Sequence, residues 1–303
     1  MRRYFDLKCI LLAAVLFTAG NASAAVNVFA CEPEWAALAQ ELGSDKVSAS
    51  SASTAKQDPH RIEARPSLIA RMRAADLVIC SGSELEIGWL PLLLQQAGND
   101  RVQPGRPGFV EASQFVTRLE IPRVVDRSLG DIHPAGNPHI HLDPRNIAKV
   151  GEVVTARLSE IDQANSGFYR QRAEDFSRRW QAAIGRWQQQ AAPLKGVPVV
   201  VYHKDLSYFI NWAQMREAGS LEPKPGIPPT PSHLAELVEQ MKRSPAKLVV
   251  YSAYNSPQAA EFLSQRANIP NVMLPFTVGG TERAKDLFGL FDDTLDRLLK
   301  SAK

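Results

Sequence analysis

Cysteine is scarce: Cys9, Cys31 and Cys80 are the only three in 303 residues. That is too few for a disulfide-stapled scaffold, and no CxxC pair is present to build a zinc ribbon or a dithiol redox centre. Excess charge is lacking as well. Lys+Arg number 35 against 32 Asp+Glu, a formal +3, without the basic stripe that nucleic-acid recognition uses. No HExxH, P-loop or GxSxG occurs, which removes the commoner metalloprotease, nucleotide-hydrolase and serine-hydrolase readings. The apolar run that comes nearest to spanning length, Cys9–Ala19, has 11 residues, about half of what a helix needs to cross a bilayer. What remains is 45% hydrophobic and 22% charged. This is the composition of a folded globular chain, long enough for two domains.

The short apolar run has a different use. Arg2, Arg3 and Lys8 surround its start and Ala22-Ser23-Ala24 follows it, the pattern of a cleaved secretory leader. Residues 1–24 are therefore read as a signal peptide and the protein as exported. Export leaves Cys31 and Cys80, each at the end of an apolar run (Val26–Ala30 and Leu77–Ile79). If those runs are neighbouring parallel strands, both sulfurs lie at the same end of the sheet. An oxidising compartment then favours a Cys31–Cys80 disulfide over two packed thiols.

From Val26 onward, short β-rich runs alternate with helical patterns, which predicts an α/β fold with parallel sheets. Helices are predicted at Glu34–Leu42 and from Pro66. Ser48–Gln57, rich in Ser and Ala, reads as a loop, and so does Ser128–Asn137. Asp143-Pro144 supplies a cap and then a proline at the first helical position. A second helical period follows, Tyr169, Ala173, Phe176, Trp180, Ile184 and Trp187, and it predicts a helix over 165–192. At 1.5 Å per residue that helix spans about 40 Å, long enough to connect two lobes. Strands return at Val197–Tyr202, Leu248–Tyr251 and Val272–Leu274, with helices at Pro231–Met241, Pro257–Arg266 and Glu282–Leu299. The expected organisation is a leader over 1–24, an N-terminal α/β lobe over 25–164, a connecting helix over 165–192 and a C-terminal α/β lobe over 193–303. Glu222–Pro231, with five prolines in ten residues, must be an ordered connection.

Six histidines are present: His60, His133, His139, His141, His203 and His233. His60 follows Asp58-Pro59 in a loop between two β/α units, His139 and His141 precede the Asp143 cap, and His203 ends a strand. Open α/β sheets bind ligands outside the carboxyl ends of their strands, so these separate segments can deliver imidazoles to one point. An imidazole set suits zinc better than manganese or calcium, which prefer oxygen.

Five segments then carry a resemblance. They are Gln57-Asp58-Pro59-His60 with Arg65-Pro66-Ser67, Ala74–Val78, Gly136–Pro144, Tyr202–Phe209 and Pro223–Pro231. In this order they resemble the ZnuA/TroA-type solute-binding proteins of bacterial zinc and manganese ABC transporters, over essentially all of residues 25–303. The resemblance implies two lobes joined by one long helix, a metal site in the cleft between them and no enzymatic activity. It also implies residence in the periplasm, Zn2+ carried as cargo, and delivery to an inner-membrane permease with its ATPase, the protein itself expected as a monomer. Carried over by position, the ligands are His60, His139 and His203. The acidic ligand that many members place after the last strand is missing, since Leu274–Gly280 contains no carboxylate. The Glu that others place before the first His is Pro59 here. Water is the expected fourth ligand. His141, which stands where the family usually has Trp, is an alternative if residues 139–141 run extended and face one way, and His133 is an auxiliary candidate. Glu222 is the nearest carboxylate in the proline-rich stretch. Competing readings are a manganese or iron carrier, a zinc hydrolase with an open three-His site, and an adhesin whose metal is structural.

Overall fold

The structure, a computed structural model, describes residues 24–302 except 127 and 129. The leader read at 1–24 lies, apart from Ala24, outside the described residues. Strand β1 (Val26–Ala30), helix α1 (Pro33–Gly43), β2 (Val47–Ser51), α2 (Pro66–Ala74), β3 (Leu77–Cys80), α3 (Leu90–Ala97) and β4 (Phe109–Glu111) form the first lobe. Its sheet has the order β2-β1-β3-β4, parallel throughout. The second lobe repeats the plan. Strand β5 (Pro198–Val201), α6 (Ser207–Trp212), β6 (Arg216–Ser220), α7 (Pro231–Arg243), β7 (Leu248–Ser252), α8 (Gln258–Ala267) and β8 (Asn271–Leu274) give a parallel sheet of order β6-β5-β7-β8. Between the lobes run α4 (Pro144–Ile161) and α5 (Ser166–Ala191), and α9 (Leu287–Ser301) closes the chain.

The helix starts follow from local chemistry. The Asp143 side chain accepts from the Arg145 amide at 2.9 Å, and Pro144 fills the first turn, where its missing N–H costs nothing. Thr230 caps α7 in the same way, ahead of Pro231. The loop expected over Ser48–Gln57 is a correction: its first part is strand β2. Small Ser and Ala side chains hide a strand's alternation. The pairing of β2 with β1 comes from backbone hydrogen bonds across the sheet edge, in register from Val26 opposite Val47 to Ala30 opposite Ser51.

The long helix, 26 residues and so about 39 Å, is more than a connector. Its Phe176, Trp180 and Trp187 pack against Phe288 and Phe291 of α9. Trp180 Nε1 donates to the Pro144 carbonyl at 2.8 Å and Trp187 Nε1 to Asp292 Oδ1 at 2.6 Å. One continuous apolar core therefore holds residues of both lobes together with α4, α5 and α9, while each sheet has a second cluster on its outer face.

Ala30 pairs with Ile79, so the next residues, Cys31 and Cys80, fall side by side. They form a disulfide, with Cα atoms 4.8 Å apart. Both are buried. Thiol titration of the exported, denatured and non-reduced protein should find no free thiol. The double variant C31S/C80S should lose about 2–4 kcal/mol of unfolding free energy in urea, given the long loop the bond closes; two free thiols in the native protein would refute the pairing.

Candidate metal centre

Parallel strands put their carboxyl ends on one side of each sheet, and the two sheets turn those sides toward each other across the cleft. His60 comes from the loop after β2, His203 from the residue two beyond β5, and His139 from the segment leading into α4. The structure brings these three together: one ring nitrogen from each lies within 4.8 Å of the others, and their ring centroids are 5.4–5.5 Å apart. A tetrahedral ion with metal–N bonds of about 2.0–2.1 Å needs nitrogens about 3.4 Å apart, so this group would have to contract to hold one.

Each ring is aimed by an oxygen on its Nδ1. His60 Nδ1 is 2.7 Å from Asp58 Oδ1, which also accepts from the His60 amide at 3.0 Å. His139 repeats the device: Asn137 Oδ1 takes both its amide and its Nδ1, each at 3.0 Å. The Asn137 amide has one orientation, because its Nδ2 donates to Glu120 Oε2 at 2.8 Å and the Lys204 carbonyl at 2.7 Å. His203 Nδ1 is 2.7 Å from Glu222 Oε2. A hydrogen bond from Nδ1–H fixes the tautomer and leaves the lone pair on Nε2. Accordingly the buried Nε2 atoms of His60 and His139 have no hydrogen-bond partner. The acceptors could have been found in the sequence, since Asp58-Pro59-His60 and Asn137-Pro138-His139 share one pattern: an oxygen-bearing side chain, a stiff proline, then the histidine.

His133 also arrives. Its ring lies 5.4 Å from that of His60 and 6.4 Å from that of His139, and its Nε2 is buried without a partner. His141 does not arrive, which corrects the expectation of an extended 139–141. Ile140–Leu142 is a 3-10 turn, so residues two apart no longer share a side. His141 Nε2 instead donates to the Phe276 carbonyl at 2.9 Å, and its Nδ1 faces Glu34 Oε1 at 3.0 Å. His233 is remote, its Nε2 at 2.9 Å from the Ser220 carbonyl. Glu222 is present as an acceptor for His203, a role the sequence reading did not assign.

Burial tunes the rings for metal. It pushes the His139 pKa well below the ordinary range, with His60 and His203 adding repulsion, and lowers His133 to about 4 for the same reasons. At His203 burial also pulls downward, but the Glu222 hydrogen bond and the charges of Asp205, Glu222 and Asp58 outweigh it and raise the pKa. Three carboxylates around the cluster are engaged, Asp58 by His60, Glu222 by His203 and by the Gly226 amide at 2.9 Å, and Asp205 by Ser252 and Tyr254, while the exposed Asp131 lines the same cleft beside them. The donors that come within reach of one common point are imidazoles.

A family model described as the zinc-uptake complex component A, periplasmic (ZnuA), matches residues 28–301. Relatives include a metal ABC transporter substrate-binding lipoprotein, ScbA, of Streptococcus cristatus, 21% identical over 87% of this chain and 84% of that protein. A manganese ABC transporter substrate-binding lipoprotein of Streptococcus gordonii is 21% identical over 88% and 84%. The high-affinity zinc uptake protein ZnuA of Bacillus subtilis is 20% identical over 76% and 71%. Among solved structures, a ZnuA crystal structure superposes with TM-score 0.77 at 20% identity, covering 92% of this chain and 100% of its own. The Mn-bound periplasmic metal-binding protein of Candidatus Liberibacter asiaticus gives 0.72 at 17% identity, covering 91% and 99%.

The lowered pKa values have a sign. His133 and His139 stay neutral when folded but take protons once unfolded, below about pH 6.5. They therefore stabilise the metal-free fold above that pH. For His133 this contribution is lost as pH falls from about 6.5 toward about 4. His203, with its raised pKa, works in the opposite sense. Urea unfolding of metal-free protein between pH 7 and 4.5 should show stability falling with acid, and the fall should be shallower in His133→Ala; equal slopes would place His133 in solvent.

Proposed function

The chain belongs to the ZnuA family of periplasmic metal-binding components of ABC importers, solute carriers rather than enzymes, and on that premise we propose that its cargo is zinc. The observation that carries this reading is the nitrogen-only centre. His60, His139 and His203 converge with Nδ1 satisfied, and the group whose ligand atoms come together includes no carboxylate. Zinc accepts three or four imidazoles readily, whereas manganese favours oxygen. His133 is the imidazole best placed to complete a tetrahedron, with water as the alternative. Support for periplasmic residence comes from the family and from the leader pattern at residues 1–24, and the receiving partners are an ABC permease and its ATPase in the inner membrane.

His203 adds a proton to the exchange. Its raised pKa means that metal competes with a proton for this ring, because only neutral imidazole binds. Zinc affinity therefore weakens as pH falls through the His203 titration.

One zinc per chain is expected by metal analysis of the exported protein. His60→Ala, His139→Ala and His203→Ala should each weaken zinc binding more than tenfold, or about 1.4 kcal/mol, in competition with a chromogenic chelator. His133→Ala should cost more affinity than a His233→Ala control. Unchanged affinity in His60→Ala would remove the site, and a wild-type preference for manganese would replace zinc with the manganese reading.

A further inference from the structure

The first lobe holds a second group of metal-ligating side chains, made of none of the histidines. Cys31 follows β1 and Cys80 ends β3. A carboxylate oxygen of Glu86 reaches the same point, so that it and the two sulfurs lie within 4.8 Å of one another. Cys31, Cys80 and Glu86 are 0%, 1% and 3% exposed. Glu86 is fixed there by the turn that leaves β3: Oε1 accepts from the Ser81 amide at 2.8 Å and Oε2 from the Gly82 amide at 3.1 Å. In that turn Gly82, Ser83 and Glu84 follow one another at φ 77°, 52° and 66°. Side chains larger than glycine hold left-handed backbone only where their surroundings impose it.

A second carboxyl is buried beside the first. Glu32, 2% exposed, accepts through Oε2 from the Ser81 amide at 3.3 Å and the Ser81 hydroxyl at 3.1 Å, and its Oε1 has no hydrogen-bond partner. Burial pushes both carboxyls up, Glu86 to about 7 and Glu32 well above its ordinary range, where the charges of Glu86 and Glu34 add to it. Buried carboxylates normally have a paired cation or a metal, and neither is paired with a basic side chain among the described residues. A cavity of about 590 Å3, lined by Cys80, Gly82, Glu86, Leu90, Phe109 and the 64%-exposed Ile87, supplies an entry path and room for water.

We propose that the chain carries a second, redox-gated metal site: once the Cys31–Cys80 bond is opened, the two thiolates and the Glu86 carboxylate bind one zinc ion, with water from the cavity as fourth ligand. Opening the S–S bond takes two electrons and two protons from a dithiol, which closes to its own disulfide. Zinc then displaces both thiol protons as two Zn–S bonds form. Tetrahedral Zn–S bonds of about 2.3 Å set the sulfurs about 3.8 Å apart, a span within reach of neighbouring strands whose Cα atoms are 4.8 Å apart. Thiolate with carboxylate suits zinc, and thiolate excludes the ions that want oxygen alone. Disulfide and metal exclude each other, so this site exists only in the dithiol form and is independent of the histidine centre.

The test uses the exported full chain with His60→Ala and His139→Ala, which disable the histidine centre, in its oxidised form and after refolding with a phosphine reductant. The reduced form should bind one more Zn2+ per chain than the oxidised form. Loaded with Co2+, it should show strong near-ultraviolet thiolate-to-metal charge transfer that the oxidised form lacks. Equal zinc stoichiometry, or no such band, would overturn the site. Adding Cys31→Ser and Cys80→Ser should abolish both signals; a band that survived would come from another group and sink the assignment. Glu86→Gln keeps an oxygen for the Ser81 amide and should weaken zinc binding to the reduced form at least tenfold. Thiols of an unfolded chain also take Co2+, but that binding does not depend on Glu86, so unchanged affinity in Glu86→Gln refutes a built site. Where reduction loosens the fold, zinc should raise the Tm of the reduced chain, followed by circular dichroism, and raise it less in Glu86→Gln; no rise, or equal rises, counts against the proposal. One equivalent of Zn2+ should also slow reoxidation of the thiols at least tenfold, and equal rates with and without zinc would show that metal and disulfide do not compete.

Discussion

Everything around the cleft serves one costly arrangement: several imidazole nitrogens, buried and facing one another with no hydrogen-bond partner. An unpaired buried polar atom costs about 1–3 kcal/mol, and protonating one of these rings beside the others costs more. The fold tolerates this because Nδ1 of each converging ring is satisfied by Asp58, Asn137 or Glu222, so the deficit is confined to the lone pairs that a cation would fill. Such a centre is preorganised. A metal arriving there replaces repulsion and missing hydrogen bonds with coordination, and few side chains have to move.

The contributors are dispersed along the chain, so the centre depends on the relative position of two lobes. That position is set by α5 together with α9, whose aromatic side chains make the cores of both lobes continuous. The lobes also touch beside the histidine cluster. Tyr208 of α6 donates to the Asn137 carbonyl at 2.8 Å and accepts from the Leu119 amide at 3.0 Å. Asn137 therefore links its own histidine, Lys204 and Tyr208, and one residue couples ring orientation to lobe placement.

Much of this was legible in the sequence, in proportion to how local the cause is. Asp143-Pro144 announces a helix through its own side chains, and the 3.6-residue period of Tyr169–Trp187 announces α5. The position of His203 just past β5 follows from parallel-sheet geometry, and so does the adjacency of Cys31 and Cys80, while His60 and His139 are marked by the motifs that hold them. Failures occur where the cause is distant. Strand β2 is Ser/Ala-rich and exists because β1 offers it a partner. His141 reads as a neighbour of His139 only if the chain is extended, and the 3-10 turn that redirects it is stabilised by contacts to Phe276 and Glu34, 135 and 107 positions away. His133 sits in a loop without periodicity, and nothing local says that it folds back over His60.

The same packing limits how the cargo can leave. Wide hinge opening that carried α9 with the C-terminal lobe away from α5 would expose faces of Trp180, Trp187, Phe288 and Phe291. At about 25 cal/mol per Å2 and 150–250 Å2 per aromatic ring, uncovering the area of even two rings costs about 10 kcal/mol, comparable to the whole stability of a domain. Contacts at the cleft are cheaper to break. Lys204 with Glu120 and Glu217 is a partly exposed group of ion pairs, of the kind worth about 0–1 kcal/mol per pair. Release by local loosening around His203, Lys204 and the proline-rich segment is therefore favoured over a large rotation of lobes. His203 is well suited to go first: Glu222, which orients the ring toward the histidine cluster, also raises its affinity for a proton, so the interaction that would prepare this ring for a metal would also prepare it to be exchanged.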